Sequence, residues 1–246
     1  MMLKVLFVGL LALLTSTCHV VAQEPQTVAA TAKLPVATAT ATPKADNAEP
    51  HVEATPTPIP AAVALDQLMT ALAAAQRAPS FRARLNGQIN DEEPDILTLE
   101  IAAPNRRRIK GHNIEIIVVG EDGYLSFGSK WQRAPRDPEA KAAVFRVAQA
   151  PVYWGLAENK AARGFITMKS ATPTTYDEQA ATLFEYEMKD AFGKTGVCTL
   201  RTWVTQADGL PRKTEMEGDY EGRHAKALLT WLEYNVALTI EAPALP

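Results

Sequence analysis

The residues of this chain that could perform chemistry are few and scattered. Its four histidines are His19, His51, His112 and His224, and none has a cysteine, a second histidine or a carboxylate at the spacing of metal ligands. No glycine-rich phosphate loop, serine elbow or HExxH motif occurs. The sequence therefore predicts no cofactor and no metal site, and it predicts that the protein is not an enzyme.

The two cysteines lie in different surroundings. Cys18 follows the apolar run 5–14, whereas Cys198 lies in a stretch typical of the start of a strand. A buried cysteine usually packs as a small apolar residue, and Cys198 has no base beside it in the sequence. We predict a structural role for Cys198 and no intrachain disulfide in the folded domain.

The clustered charges favour solvated surfaces. Residues 91–93, Asp-Glu-Glu, precede a proline and predict an acidic hairpin loop, while Glu185 and Glu187 share the solvent face of a predicted strand. Arg106, Arg107 and Arg108 are the one basic run. They would contact a phosphate or lipid headgroup, or cover a solvated strand face; the second is favoured because charged residues are rarely buried.

The N-terminus predicts export. Residues 1–22 combine a lysine, about ten apolar residues and small residues before Gln23, as in a signal peptide. The apolar run is shorter than the roughly 20 residues of a transmembrane helix. Cleavage after Ala22 would release the protein. Cleavage before Cys18, with acylation of its thiol, would tether it to a membrane. We favour Ala22, because Thr15 and Thr17 fit a lipobox poorly.

Composition separates an arm from a folded domain. Residues 23–60 are rich in Ala, Thr and Pro, which predicts a disordered arm. Residues 61–246 are long enough for one domain with a hydrophobic core. The net charge of the 246-residue chain is −3, so no nucleic-acid partner is expected.

Hydrophobic periodicity predicts one helix and then a long sheet. Apolar residues recur at helical spacing over 61–78, and alternation typical of strands follows. The predicted strands are Phe81–Asn86, Leu97–Ile101, Arg106–Lys110, Ile114–Val119, Tyr124–Phe127, Lys130–Arg133, Gly164–Ser170, Thr182–Lys189, Val197–Thr205, Leu210–Glu217 and Lys226–Val236. A second helix, capped by Asp137, interrupts them. The fold class is α+β: an antiparallel meander covered on one side, in which a curved sheet holds the helices in its concavity.

The turns between these strands follow from glycine positions. Residues 121–123 predict a turn that uses Gly123 at positive φ, and residues 207–209 predict a tight hairpin turn ending at Gly209. His224 is placed in a loop over 222–225. The last segment, 239–242, should run out along the domain.

The order of short motifs over 61–243 resembles a known family. The motifs are Pro104–Ile109, Glu115–Gly120, Gly123–Leu125, Lys130–Gln132, Trp203–Thr205, Gly209–Lys213, Tyr234–Val236 and Ile240–Pro243. In this order they resemble the LolA-like superfamily of exported lipid- and lipoprotein-binding proteins, in its LppX/LprG-type branch. The resemblance implies a curved antiparallel half-barrel of about 11 strands, with helices closing its concave face over an apolar cavity for acyl chains.

The resemblance also implies a function and a site. The protein would be an exported carrier of a lipid or an acylated protein, monomeric, and secreted, periplasmic or anchored at the cell surface. The implied lid residues are Leu65, Leu68, Met69 and Leu72; the implied walls are Leu85, Leu97, Leu99 and Ile116, with Phe145, Tyr153 and Trp154 near the middle insertion. The same residues would also fill an ordinary core. The alternative function is therefore a non-transporting envelope sensor or interaction module of the same fold.

Overall fold

Alternating apolar and polar residues form an eleven-stranded antiparallel sheet in the computed structural model, which describes residues 59–90, 92–128, 130–134, 160–189, 197–220 and 223–245. The helices are α1 (Ala61–Arg77) and a short 3₁₀ helix (Lys160–Phe165). The strands are β1 (Ser80–Ile89), β2 (Asp95–Ala102), β3 (Arg106–Lys110), β4 (Ile114–Val119), β5 (Asp122–Phe127), β6 (Lys130–Arg133), β7 (Ile166–Tyr176), β8 (Gln179–Lys189), β9 (Val197–Thr205), β10 (Pro211–Tyr220) and β11 (Arg223–Tyr234).

The strands form two meanders that join through the first and last strands. The order across the sheet is β6-β5-β4-β3-β2-β1-β11-β10-β9-β8-β7. Strands β1 and β11 pair from Phe81 opposite Tyr234 to Ile89 opposite Ala225, with one irregularity at Arg82/Ala83. The predicted six-plus-five strand count is confirmed. The described residues are therefore mostly β, with one α-helix; the second helix predicted after Asp137 lies outside them.

Helix α1 packs on one face of the sheet, which we call the inner face. Leu68, Met69 and Leu72 of the helix are at most 3% exposed. They belong to one apolar cluster with inner-face residues of both meanders, such as Leu99 of β2 and Leu229 of β11. This burial stabilises the helix position, because each fully buried leucine contributes about 2 kcal/mol.

The opposite, outer face is charged and cross-linked by ion pairs between neighbouring strands. Glu185 of β8 accepts hydrogen bonds from Arg201 of β9 at 2.9 Å and from Ser170 of β7 at 2.8 Å. Glu187 pairs with Lys169 at 2.9 Å. The prediction that both glutamates lie on a solvent face is confirmed, since successive side chains of a strand point to opposite faces.

The C-terminal segment covers one end of the outer face. Ile240, which is 1% exposed, packs against Ile117 of β4 and Tyr124 of β5. Arg106 of β3 donates a hydrogen bond from Nη1 to the carbonyl oxygen of Ile240 at 2.7 Å. The expectation that only one face of the sheet is covered is therefore wrong at this end, because β4 carries apolar residues on both faces.

The turns differ in detail from the sequence prediction. The positive φ between β4 and β5 occurs at Gly120 (63°), whereas Gly123 lies inside β5. The predicted turn at Gly209, with φ 69°, is confirmed. His224 lies in β11 rather than in a loop, because β10 and β11 pair up to Tyr220 opposite Arg223.

Candidate functional site

The described residues that the family resemblance implied as lipid contacts come together in one apolar cluster. They are Leu65, Leu68, Met69 and Leu72 of α1, Leu85 of β1, Leu97 and Leu99 of β2, and Ile116 of β4. Seven of these eight are buried, and Leu65 is partly buried at the edge of the cluster. Phe145, Tyr153, Trp154 and Cys18 lie outside the described residues. The cluster is the candidate site.

Strand register explains why residues far apart in sequence meet there. Leu85 lies opposite Leu97, and Leu99 lies opposite Ile109, which in turn lies opposite Ile116. Cross-strand neighbours on one face are about 5 Å apart, so these side chains form a continuous apolar wall. The helix residues recur at spacings of three and four and therefore face the wall together.

Sequence reasoning missed the second half of this wall. The C-terminal strands contribute Phe184, Tyr186, Met188, Leu200, Met216, Leu229 and Trp231, which are all at most 9% exposed. Their alternation along β8 to β11 was visible in the sequence. It indicated strands, but the pairing of β1 with β11 that brings both halves onto one face was not predicted.

The three tryptophans that the structure describes have different environments. Trp231 belongs to the inner cluster, and Trp131 packs with Ile117 and Tyr124 on the outer face. Trp203 also lies on the outer face, where Nζ of Lys213 is 4.6 Å from its ring centroid. Among the described tryptophans, Trp231 therefore belongs to the candidate site.

A row of buried hydroxyl groups crosses the inner face at the C-terminal strands. The hydroxyl of Tyr186 on β8 lies 3.1 Å from Oγ1 of Thr202 on β9. Oγ1 of Thr202 lies 3.0 Å from Oγ1 of Thr214 on β10. The three residues are at most 2% exposed. Burial raises the pKa of Tyr186 to about 12, and the hydrogen bond with Thr202 only partly opposes this. We call these residues the hydroxyl row.

An ion pair links helix α1 to the segment that enters β7. Nη1 of Arg163, in the 3₁₀ helix, donates to Oδ1 of Asp66 at 2.6 Å. Two apolar residues lie close to this pair in the sequence: Val63 is 47% exposed, and Phe165 is 45% exposed. Apolar residues are thus accessible at one margin of the helix.

Cys198 is placed for packing. Its side chain is 5% exposed, and a Cβ atom on Gly218 of the neighbouring strand would lie 2.8 Å from its Sγ. Burial, followed by the charge of Asp219, raises the pKa of the Cys198 thiol to about 11. A thiol that stays protonated is a poor nucleophile, which fits the predicted structural role.

His224 has two carboxylate partners that its sequence neighbourhood did not reveal. Its Nδ1 lies 3.1 Å from Oδ1 of Asp219, and its Nε2 lies 2.9 Å from Oε1 of Glu217. The β10–β11 hairpin brings these residues together on the outer face. Both carboxylates raise the pKa of His224, Asp219 through the larger effect. Within the described ranges, no group of three or more potential ligands could hold a metal ion.

The basic run divides between the two faces of β3. Arg106 and Arg108 lie on the outer face, where Arg108 donates from Nε to Glu115 at 2.6 Å. Arg107 lies at an inner-face position, opposite Ile101 of β2. The three arginines therefore do not form one anion-binding surface, because successive side chains of a strand point to opposite faces.

Two mycobacterial proteins of known structure are similar to this chain in fold. No protein-family model matches the sequence, and no curated protein matches it. The lipoprotein LppX of Mycobacterium tuberculosis superposes with a TM-score of 0.53 at 9% identity, over 73% of this chain and 99% of LppX. LprF from Mycobacterium bovis gives 0.49 at 11% identity, over 75% and 99%.

A further match has a lower score. A LolA superfamily protein from Nitrosomonas europaea gives a TM-score of 0.28 at 10% identity, over 74% of this chain and 95% of that one. No helix in the described ranges is long and apolar enough to span a membrane. Over most of its length, the chain is structurally similar to LppX, and this match alone carries the assignment of its fold.

Proposed function

We propose that this protein is an exported carrier that binds a lipid or a lipoprotein by holding acyl chains between helix α1 and the inner face of the sheet. The observation that carries the proposal is the continuous apolar inner face, built by both meanders and covered by one helix. The LppX-like fold supports the exported location, since LppX is a lipoprotein.

Burial of hydrocarbon would supply the affinity. Each buried methylene contributes about 0.8 kcal/mol, so an acyl chain needs no charged partner to be held. Ordering the chain and displacing residues that already pack together would offset part of this gain. The curvature of the sheet into a half-barrel belongs to the same proposal, because a concave face would surround the chains on several sides.

Helix α1 is the element that we propose to move. Its N-cap residue, Pro60, makes no capping hydrogen bond through its side chain, and the ion pair between Asp66 and Arg163 is exposed to solvent. The helix is thus held mainly by the apolar contacts that an acyl chain could replace. Displacing it would break none of the backbone hydrogen bonds between strands.

The N-terminal segment would decide where the carrier works. We propose a signal peptide over 1–22 and an arm over 23–60. With cleavage after Ala22 the domain is released. With acylation of Cys18 it stays tethered to a membrane, and the arm becomes a leash for the lipid-binding domain. Mass spectrometry of the mature protein distinguishes these two ends directly.

The test is native mass spectrometry of the purified protein, combined with lipid extraction and displacement of a fluorescent fatty acid. The proposal predicts that lipid co-purifies and that the probe binds. Leu65→Glu should weaken binding strongly, because it places a charge at the edge of the cluster, where Leu65 is only partly buried. Gln67→Glu, at an exposed position of the same helix, is the control.

Two results would contradict the carrier. One is a folded wild-type protein that neither retains lipid nor binds the probe; the alternative, an envelope sensor or interaction module with a filled core, would then be favoured. The other is equal binding by the Leu65→Glu and Gln67→Glu variants, which would place the lipid elsewhere.

A further inference from the structure

The hydroxyl row is an exception among the mostly apolar residues of the inner face. Thr202 lies opposite Phe184 on one side and Thr214 on the other, and Thr214 lies opposite Leu229. Tyr186 lies opposite Leu200, one position further along the sheet. Polar groups are costly to bury, so three adjacent hydroxyls on an acyl-binding face need a physical reason.

The hydrogen-bond count of the row leaves one donor for a ligand. Three hydroxyl groups carry three donor hydrogens, and the two hydrogen bonds among Tyr186, Thr202 and Thr214 use two of them. The remaining hydrogen lies on Tyr186 or on Thr214 if both bonds run in one direction along the row, and on Thr202 if both ends donate to it. A ligand oxygen placed there would accept it.

The residues around the hydroxyl row favour a neutral ligand oxygen over a charged one. The residues paired with the row on the inner face are Phe184, Leu200 and Leu229, none of which is cationic. A carboxylate or phosphate would be buried there without a counter-charge, which is strongly unfavourable. The raised pKa of Tyr186 shows the same penalty on negative charge at this position. A neutral carbonyl oxygen avoids the penalty.

We propose that the hydroxyl row is a polar subsite that binds an ester carbonyl of a diacylglyceryl group, so that the protein recognises acyl esters rather than free fatty acids. This inference rests on the proposed carrier function and deepens it. The diacylglyceryl group would come from a neutral lipid or from the modified cysteine of a lipoprotein, since both carry the same esters.

The experiment compares matched probes on the full mature protein. Dioleoylglycerol carries two ester carbonyls, and its dioleyl ether analogue lacks them. We expect the wild type to bind the ester about three- to tenfold more tightly than the ether, the range of one net hydrogen bond. A peptide with a dioleoylglyceryl-cysteine provides the third arm. Tighter binding of the peptide than of dioleoylglycerol indicates a lipoprotein ligand, and the reverse indicates a free lipid.

Substitutions that remove hydroxyls without removing volume test the row itself. Either single substitution still leaves a donor hydrogen in the row, so Tyr186→Phe, Thr202→Val and Thr214→Val are combined. This triple variant should abolish the ester preference, measured as the ratio of the affinities for ester and ether. Thr230→Val is the matched control, because Thr230 lies on the outer face of β11 opposite Arg84. If the triple variant fails to fold, the comparison of ester and ether on the wild type still decides, because it needs no substitution.

The outcomes separate the two proposals. If neither probe binds the wild type, the carrier function fails and the subsite fails with it. If both probes bind the wild type equally, or if the ester preference survives in the triple variant, the carrier stands and the subsite is wrong. Preference for free oleate over dioleoylglycerol would also overturn the subsite.

Discussion

Asp66 of helix α1 and Arg163 of the 3₁₀ helix form an ion pair in which Nη1 and Oδ1 are 2.6 Å apart. The two side chains are 64% and 48% exposed, so water screens the pair. The two residues are 97 positions apart in the sequence, and their ion pair joins the helix to the segment that enters β7. This contact is a polar link between the helix and the second meander.

Removing this link should affect helix motion more than stability. Exposed ion pairs contribute about 0 to 1 kcal/mol, so Asp66→Asn should change the free energy of unfolding by less than about 1 kcal/mol. Amide hydrogen exchange over 61–77 should become faster, and release of bound fluorescent probe should accelerate. Arg201→Gln, which removes an ion pair with Glu185 on the outer face, is the control. Unchanged exchange in the helix would show that the pair does not restrain it.

Truncating the centre of the helix contact should destabilise the whole domain. Leu68 is 0% exposed and packs between α1 and the sheet. We expect Leu68→Ala to lower the free energy of unfolding by about 2 to 5 kcal/mol, measured by urea denaturation. Leu232→Ala, at a position that is 45% exposed, should stay within about 0.5 kcal/mol. Similar effects of both would mean that the helix does not pack as described.

Adding a methyl group at Gly218 should disturb the contact between β9 and β10. A Cβ atom there would lie 2.8 Å from Sγ of Cys198 and 2.9 Å from the carbonyl oxygen of Val197. We expect Gly218→Ala to cost about 1 to 3 kcal/mol, because the backbone neighbour cannot rotate away. Gly164→Ala, with no atom within 4 Å of its Cβ, is the matched control. A neutral Gly218→Ala would contradict the tight packing of Cys198.

Protonation of His224 should stabilise the β10–β11 hairpin. Asp219 and Glu217 raise its pKa in the folded protein above the ordinary value near 6.5. A raised folded pKa means that the stabilisation is complete below the unfolded pKa and is lost as pH rises through the folded pKa. Stability measured from pH 5 to 8 should therefore fall across this window, and His224→Gln should flatten that fall.

An NMR titration of the His224 ring measures the same effect directly. The expected result is a pKa above that of a free histidine. Asp219→Asn should lower it more than Glu217→Gln does, because Asp219 makes the larger contribution. A ring pKa at or below 6.5 would contradict the contacts with both carboxylates.

Local patterns in the sequence were sufficient for the elements. The helix was predicted at 61–78 and extends over Ala61–Arg77; all eleven strands occur where alternation predicted them. Alternation reports only neighbours along the chain, so it assigned Glu185 to the solvent face correctly. It could not show that the same pattern in β4 places Ile117 under Ile240, which comes from the far end of the chain.

The candidate site was predictable in part. Helical spacing placed Leu65, Leu68, Met69 and Leu72 on one apolar face, and the family resemblance implied that this face is a lid and that the N-terminal strands form a wall. The hydroxyl row was missed, because Tyr186, Thr202 and Thr214 are ordinary strand residues taken one at a time. Only the register of β8, β9 and β10 brings their oxygens within hydrogen-bond distance.

The sequence by itself predicts the signal-like start and the arm, and it determined the helix, the strands and the apolar side of each strand, because all of these depend on residues close together in the chain. Tertiary structure alone decided that β1 pairs with β11, that both meanders share one inner face, and that His224 meets Asp219 and Glu217. Those relationships depend on long-range pairing, whose energy comes from burying two apolar surfaces against each other.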